Sequence, residues 1–151
     1  MYMAIAISIH VLALIVWVGG MFFAHSSLRL ASVEILEPPL RLKLWRATFK
    51  RFFMWVWIAV ILILASGFWM FFQYPSPPLF IHFMTGIGSL MAVIFFYIYF
   101  VPYQRLKKAV QTEKWQEGAQ AQGQIRTLVG INLSLGIITT IIATAGKYFI
   151  G

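Results

Sequence analysis

Four apolar stretches divide this chain, and each is long enough to cross a lipid bilayer as a helix. They cover about residues 2–24, 52–72, 78–101 and 125–148. A hydrocarbon layer of roughly 30 Å is crossed by about 20 apolar residues in a helix. The first stretch lacks the basic start and cleavage site of a signal peptide, so we interpret it as a retained span. We therefore predict an all-α membrane protein, with residues 1–151 forming a single four-transmembrane-helix bundle.

Composition and charge support this class and exclude others. Charged residues make up 11% of the chain, compared with about 25% in soluble domains. The net charge of +8 arises from basic residues in two loops beside the spans, which is typical of membrane topology and anionic lipid, so we expect no nucleic-acid partner. The chain has no cysteine, so any metal must be bound by imidazole, thioether or oxygen.

The distribution of charge also predicts the orientation. Basic residues lie between spans one and two and between spans three and four, whereas residues 73–78 carry no charge. The positive-inside rule places both long loops in the cytoplasm and both termini on the outer (periplasmic) side. We expect a multi-pass protein of the bacterial inner membrane. Residues 38–51 predict a basic amphipathic helix that begins at Pro38-Pro39, lies near the inner-leaflet headgroups and continues into span two.

Small and polar residues indicate the inward face of each span, because close helix packing in lipid favours them. The predicted inward stripes contain Ala6, His10, Ala13, Trp17, Gly20 and Ala24 in span one, Ala59 and Ser66 in span two, His82, Gly86 and Ser89 in span three, and Asn132, Gly136, Thr139 and Ala143 in span four.

Two of the three histidines, His10 and His82, lie inside the apolar spans. An ionisable residue within a membrane is a functional-site candidate. At 1.5 Å per residue they lie roughly 12 Å and 6 Å from the outer ends of their spans, so two facing imidazoles can bind one haem iron. The simpler interpretation is that each imidazole is hydrogen-bonded to a backbone carbonyl or to a residue such as Ser66 or Asn132.

Our leading prediction is a bis-histidine haem b site near the outer face. Its expected role is electron transfer to a quinone or another small redox partner, as in an oxidoreductase. Trp17, Gly86 and Asn132 are predicted to line the cofactor, and Lys147 is predicted to pair with a haem propionate. His25 lies about 22 Å along the helix from His10, which excludes it from this site. Self-association into a homo-oligomer stays open.

Methionines provide an alternative metal site. Met3, Met70 and Met84 with His10 and His82 form a set of soft and imidazole ligands that suits Cu(I). Residues two apart on a helix point about 200° away from each other, so His82 and Met84 cannot face one centre without helix distortion.

The run from His10 to Phe22, HVLALIVWVGGMF, resembles the first-span signature of the CopD/HemJ-like family of small four-helix membrane proteins. The resemblance implies haem binding at His10 in the HemJ branch and copper uptake or resistance in the CopD branch. Protoporphyrinogen oxidation, the HemJ activity, is a further alternative. That branch has a lysine early in span three, where this sequence has Ile81-His82-Phe83, and a histidine there favours six-coordinate haem and electron transfer.

Overall fold

The computed structural model describes residues 1–149, and the described chain is helical with short connecting turns and no strand. Four helical stretches are long and apolar enough to cross a membrane, which confirms the all-α prediction with four spans. The helices are α1 (Tyr2–Ile35), α2 (Pro38–Phe72), α3 (Leu79–Phe100), α4 (Pro102–Gln111) and α5 (Trp115–Phe149), with α3 and α4 together forming the third stretch.

The helices alternate in direction and form a four-helix bundle. We call the end with Met1 and the 73–78 turn the termini end, and the end with α4 and the 112–114 turn the basic end. Helix α1 packs along α2, and α3 packs along α5. Close contacts between α1 and α5 come from residues 15–28 of α1, so these two helices meet mainly toward the basic end.

Helices α1, α2 and α5 continue beyond the predicted spans at the basic end. Helix α2 begins at Pro38, as predicted, and is continuous to Phe72. On the apolar face of residues 38–51, Leu42, Trp45 and Phe49 are buried beneath α4 and α5. The chain itself covers this part of the amphipathic face, and the position of the segment near the headgroups stays a prediction.

An aromatic core fills the basic half of the bundle. Phe49 and Phe53 stack with ring centroids 5.0 Å apart, and Phe53 meets Tyr103 edge to face at 4.9 Å. Phe95 of α3 contacts Phe53 at 5.6 Å and Trp17 of α1 at 6.2 Å. Edge-to-face aromatic pairs of this kind stabilise packing beyond simple burial. The core therefore joins α1, α2, α3 and α4 and leaves a less densely packed space between the four long helices toward the termini end.

Helix α1 contains two π-helical segments, Ile15–Gly19 and Ala24–Leu28. A π-helical turn widens the backbone locally and is often found at functional sites. The first segment places Trp17 in the core, where it is 3% exposed. The second carries His25 at the contact with α5.

Candidate functional site

A cavity of about 400 Å³ lies between the four long helices in the termini half of the bundle. Its walls are mostly apolar, and among the residues whose side chains the structure describes, no Asp, Glu, Lys or Arg lines it. Trp17 and Met91 lie at its buried inner side, where they are 3% and 2% exposed, and they border the aromatic core. The cavity is thus closed toward the basic end by packed side chains.

His10 lines this cavity and is fixed by α2. Its Nδ1 lies 2.9 Å from Ser66 Oγ, and Ser66 donates its own hydroxyl proton to the carbonyl of Leu62 at 2.5 Å. A hydroxyl has one proton to donate, so while Ser66 donates to Leu62 it accepts from His10, and Nδ1 carries the imidazole proton. Nε2 then has a free lone pair, which is the arrangement of a histidine that binds a metal through Nε2.

Gly67 lets the imidazole lie directly against α2. A Cβ at this position would be 3.2 Å from His10 Cε1, which is closer than an unstrained contact. The stripe of Ala59 and Ser66 is buried, as predicted for the inward face of span two. Serine accepts the imidazole hydrogen bond, and glycine provides the space for the ring.

Methionine side chains surround the same cavity. Within the part of the chain that the structure describes, four of the seven methionines line it: Met3, Met70, Met84 and Met91. The first three were predicted as copper ligands. Met91 was not, although it lies seven residues after Met84 and therefore on nearly the same face of α3. Helical spacing from Met84 was the signal that would have identified it.

His82 does not line the cavity. Its side chain is exposed, its Nδ1 lies 3.2 Å from the carbonyl oxygen of Pro78, and its ring packs edge to face on Phe71 at 5.2 Å. The structure therefore does not bring His10 and His82 to one centre. Both imidazoles instead have the partners of the simpler interpretation, a serine for His10 and a backbone carbonyl for His82.

The helical repeat explains this placement. Counting about 100° per residue from the buried Phe95, Met84 lies within about 20° of the inward direction, whereas His82 is about 140° and Gly86 about 180° away. Gly86 is exposed and a Cβ there would meet nothing within 4 Å. The predicted inward face of span three is thus corrected for both residues. The argument that His82 and Met84 point apart agrees with the structure, which turns Met84 inward.

The remaining predicted site residues are dispersed. Trp17 lines the cavity. Asn132 is 1% exposed and donates from Nδ2 to the carbonyl of Met91 at 3.1 Å, linking α5 to α3 behind the cavity wall. The side chain of Lys147 lies outside the described part of the structure. No cluster of three His, Cys, Asp or Glu residues occurs among the described residues, so a metal here would depend on thioethers.

Four membrane-length helices around an apolar cavity define a multi-pass membrane protein with a cavity between its spans. The profile of the CopD family, described as copper resistance protein D, matches residues 46–145, and the chain belongs to this family. The match begins within α2 and ends within α5, so it does not include His10. No curated protein and no solved structure matches the chain.

Proposed function

We propose that the protein binds copper as Cu(I) in the intramembrane cavity, as a step in copper uptake or resistance. The ligands would be Nε2 of His10 and the thioethers of Met3, Met70 and Met84. The observation that carries the proposal is that His10 and four methionines line one cavity. Thioether and imidazole groups are ligands that suit the soft Cu(I) ion. Membership of the CopD family supports the choice of copper.

The chemistry of the walls fits a singly charged soft ion. No charged group lines the cavity among the described side chains, so bound Cu(I) would be held by neutral donors and would not be drawn to a carboxylate. His10 needs no proton release to bind, because Nε2 already has a lone pair when Nδ1 donates to Ser66. The flexible methionine side chains can adjust their sulfur positions as the ion moves.

We place the termini end on the outer side of a bacterial inner membrane and the basic end in the cytoplasm, because the charge bias favours this orientation. The cavity then lies in the outer half of the bilayer. Trp17 and Met91 would separate bound copper from the cytoplasm in this conformation, because both are buried at the inner side of the cavity.

A competition titration of the purified, detergent-solubilised protein against a chromogenic Cu(I) chelator, under reducing conditions, tests the proposal. His10→Ala and Met84→Leu should each weaken Cu(I) binding about tenfold or more. Leucine nearly conserves the volume of methionine while removing the sulfur. Met54→Leu is the matched control, because Met54 is 57% exposed and lies away from the cavity. Unchanged affinity in both cavity variants would exclude this site.

The same preparation tests the haem prediction. A bis-histidine haem b would give sharp reduced absorption bands that disappear in both His10→Ala and His82→Ala. Copper binding should instead be weakened in His10→Ala and unchanged in His82→Ala, since His82 lies outside the cavity. Electron transfer to a quinone stays a prediction that requires these haem absorption bands to be found.

A further inference from the structure

A second cleft, of about 450 Å³, lies between α1 and α5 toward the basic end of the bundle. It is separate from the methionine-lined cavity, and the two have no lining residue in common. Its polar and basic lining residues are His25, Arg29, Arg126, Thr127 and Ser134. None of these residues belongs to the proposed copper site. The basic character of the cleft therefore requires a separate explanation.

The local helix geometry builds this cleft. His25 belongs to the π-helical segment Ala24–Leu28, and Arg29 follows it by four residues on the same face of α1. On α5, Arg126 and Gly130 are also four residues apart and share a face. A Cβ at Gly130 would be 3.2 Å from His25 Cε1, so glycine allows the imidazole to pack against α5. Both helices thus present an arginine beside one packed histidine.

The cleft is cationic and lacks an internal counter-ion. Arg29 uses its Nε to donate to the carbonyl of His25 at 3.1 Å, which fixes the side chain along its own helix. No carboxylate lines the cleft, and among the described residues the one ion pair joins Lys114 to Glu117 elsewhere. Within the described chain, the two terminal guanidinium nitrogens of Arg29 have no hydrogen-bond acceptor. The same holds for all three guanidinium nitrogens of Arg126.

Two arginines on one cleft match a phosphate group. The planar guanidinium donates paired hydrogen bonds to phosphate oxygens, and these charge-assisted bonds are stronger than neutral ones. An apolar surface adjoins the arginines, because Ile131 lines the same cleft and is 47% exposed. A ligand with a phosphate and an acyl chain can contact both surfaces at once.

We propose that this cleft binds the phosphate group of an anionic phospholipid from the leaflet at the basic end. Arg29 and Arg126 would hold the phosphate oxygens, and the acyl chain would run along Ile131. A bound lipid would link α1 to α5 where these helices make their close contacts. This site differs from diffuse attraction of the basic loops to lipid, because it depends on two particular arginines.

Native mass spectrometry of the detergent-solubilised protein with added phosphatidylglycerol tests the proposal. We expect a defined adduct of one phosphatidylglycerol that weakens about tenfold in Arg126→Gln, since charge-assisted bonds to the phosphate are lost. Arg126→Lys should restore it only in part, because lysine cannot donate in a paired geometry. Arg126 is exposed, so these substitutions leave the core intact.

Arg105→Gln is the matched control, because Arg105 is an exposed arginine of α4 at the same end of the bundle and lies outside the cleft. It should retain the adduct. Equal losses in the Arg105 and Arg126 variants would show diffuse attraction and overturn the proposal. Displacement of the lipid by equimolar inorganic phosphate would instead assign the cleft to a free anion, which would also overturn it.

Discussion

His10 and Ser66 lie on different helices, and a hydrogen bond of 2.9 Å joins His10 Nδ1 to Ser66 Oγ. While Ser66 donates its one hydroxyl proton to the carbonyl of Leu62, it can only accept a hydrogen bond from His10. This pair connects the packing of α1 on α2 to the chemistry of the cavity, because an acceptor at Nδ1 favours the tautomer in which Nε2 is free to bind a metal.

Replacing Ser66 with alanine should weaken Cu(I) binding while His10 itself is unchanged. Loss of a hydrogen-bond partner that orients a metal-binding histidine typically costs about 10–100-fold in metal affinity. The chelator competition titration measures this effect. Ser8→Ala is the control, because Ser8 is an exposed serine of α1 that donates to the carbonyl of Ala4. If Ser66→Ala binds Cu(I) as tightly as the parent protein, His10 does not act through this hydrogen bond.

Gly67→Ala should displace the imidazole of His10 without removing any of the proposed copper ligands. The new Cβ would lie 3.2 Å from His10 Cε1, so the ring must shift by a few tenths of an ångström. We expect Cu(I) affinity to fall severalfold and the melting temperature to change little, since the shifted group is a side chain at a cavity wall. Gly86→Ala has open space around its Cβ and should leave copper affinity unchanged. A similar loss in both variants would argue against a steric effect on His10.

The sequence predicted the fold because hydrophobic length alone determines four spans. It also predicted that His10 faces protein, since Ala13, Trp17 and Ala24 share its stripe and all three are buried. The helices proved longer than the spans, because polar residues such as those of 115–124 pack in helices at the basic end. Hydropathy reports the apolar part of a membrane helix and not its polar extension.

The face of α3 was harder to predict, because two stripes compete on this helix. One contains His82 and Gly86, and the other contains Met84 and Gly88. Small residues occur on both, so the small-residue criterion does not separate them. The large side chain of Phe95 decides the rotation by joining the aromatic core. Such long-range packing is not encoded in the local pattern around residue 82.

Gly136→Ala should destabilise the bundle at the point where α1, α3 and α5 meet. The added Cβ would lie 2.8 Å from Val18 Cγ2 and 3.2 Å from Met91 Cε. Valine has little rotameric freedom in a helix, so the helices must move apart at a cost of about 1–3 kcal/mol. Thermal unfolding in detergent measures the change. Gly123→Ala, on the same helix with nothing within 4 Å of its Cβ, should be neutral or slightly stabilising. A parent-like melting temperature for Gly136→Ala would contradict this packing.

Asn132→Leu should affect stability only slightly and leave Cu(I) affinity unchanged. The substitution removes the bond from Nδ2 to the carbonyl of Met91, and such interhelical bonds contribute about 0.6 kcal/mol on average in membrane proteins. The substitution also removes Oδ1, a buried acceptor without a hydrogen-bond partner in the described chain. Removing this unsatisfied atom offsets part of the lost stability. Chemical unfolding measures the change in stability, and the copper titration measures the Cu(I) affinity. Abolished copper or haem binding in a folded Asn132→Leu protein would instead give Asn132 a direct part in the site.

The orientation of the bundle can be tested directly, because the chain has no cysteine to remove. Ser76→Cys and Thr112→Cys each place one thiol at an exposed position, the first at the termini end and the second at the basic end. The positive-inside rule predicts that the basic end is cytoplasmic. A membrane-impermeant maleimide should therefore label Ser76→Cys in intact spheroplasts and Thr112→Cys only after the membrane is permeabilised. The reverse pattern would place the methionine-lined cavity in the cytoplasmic half of the bilayer. The cavity would then serve the release of copper to the cytoplasm and not its capture from outside.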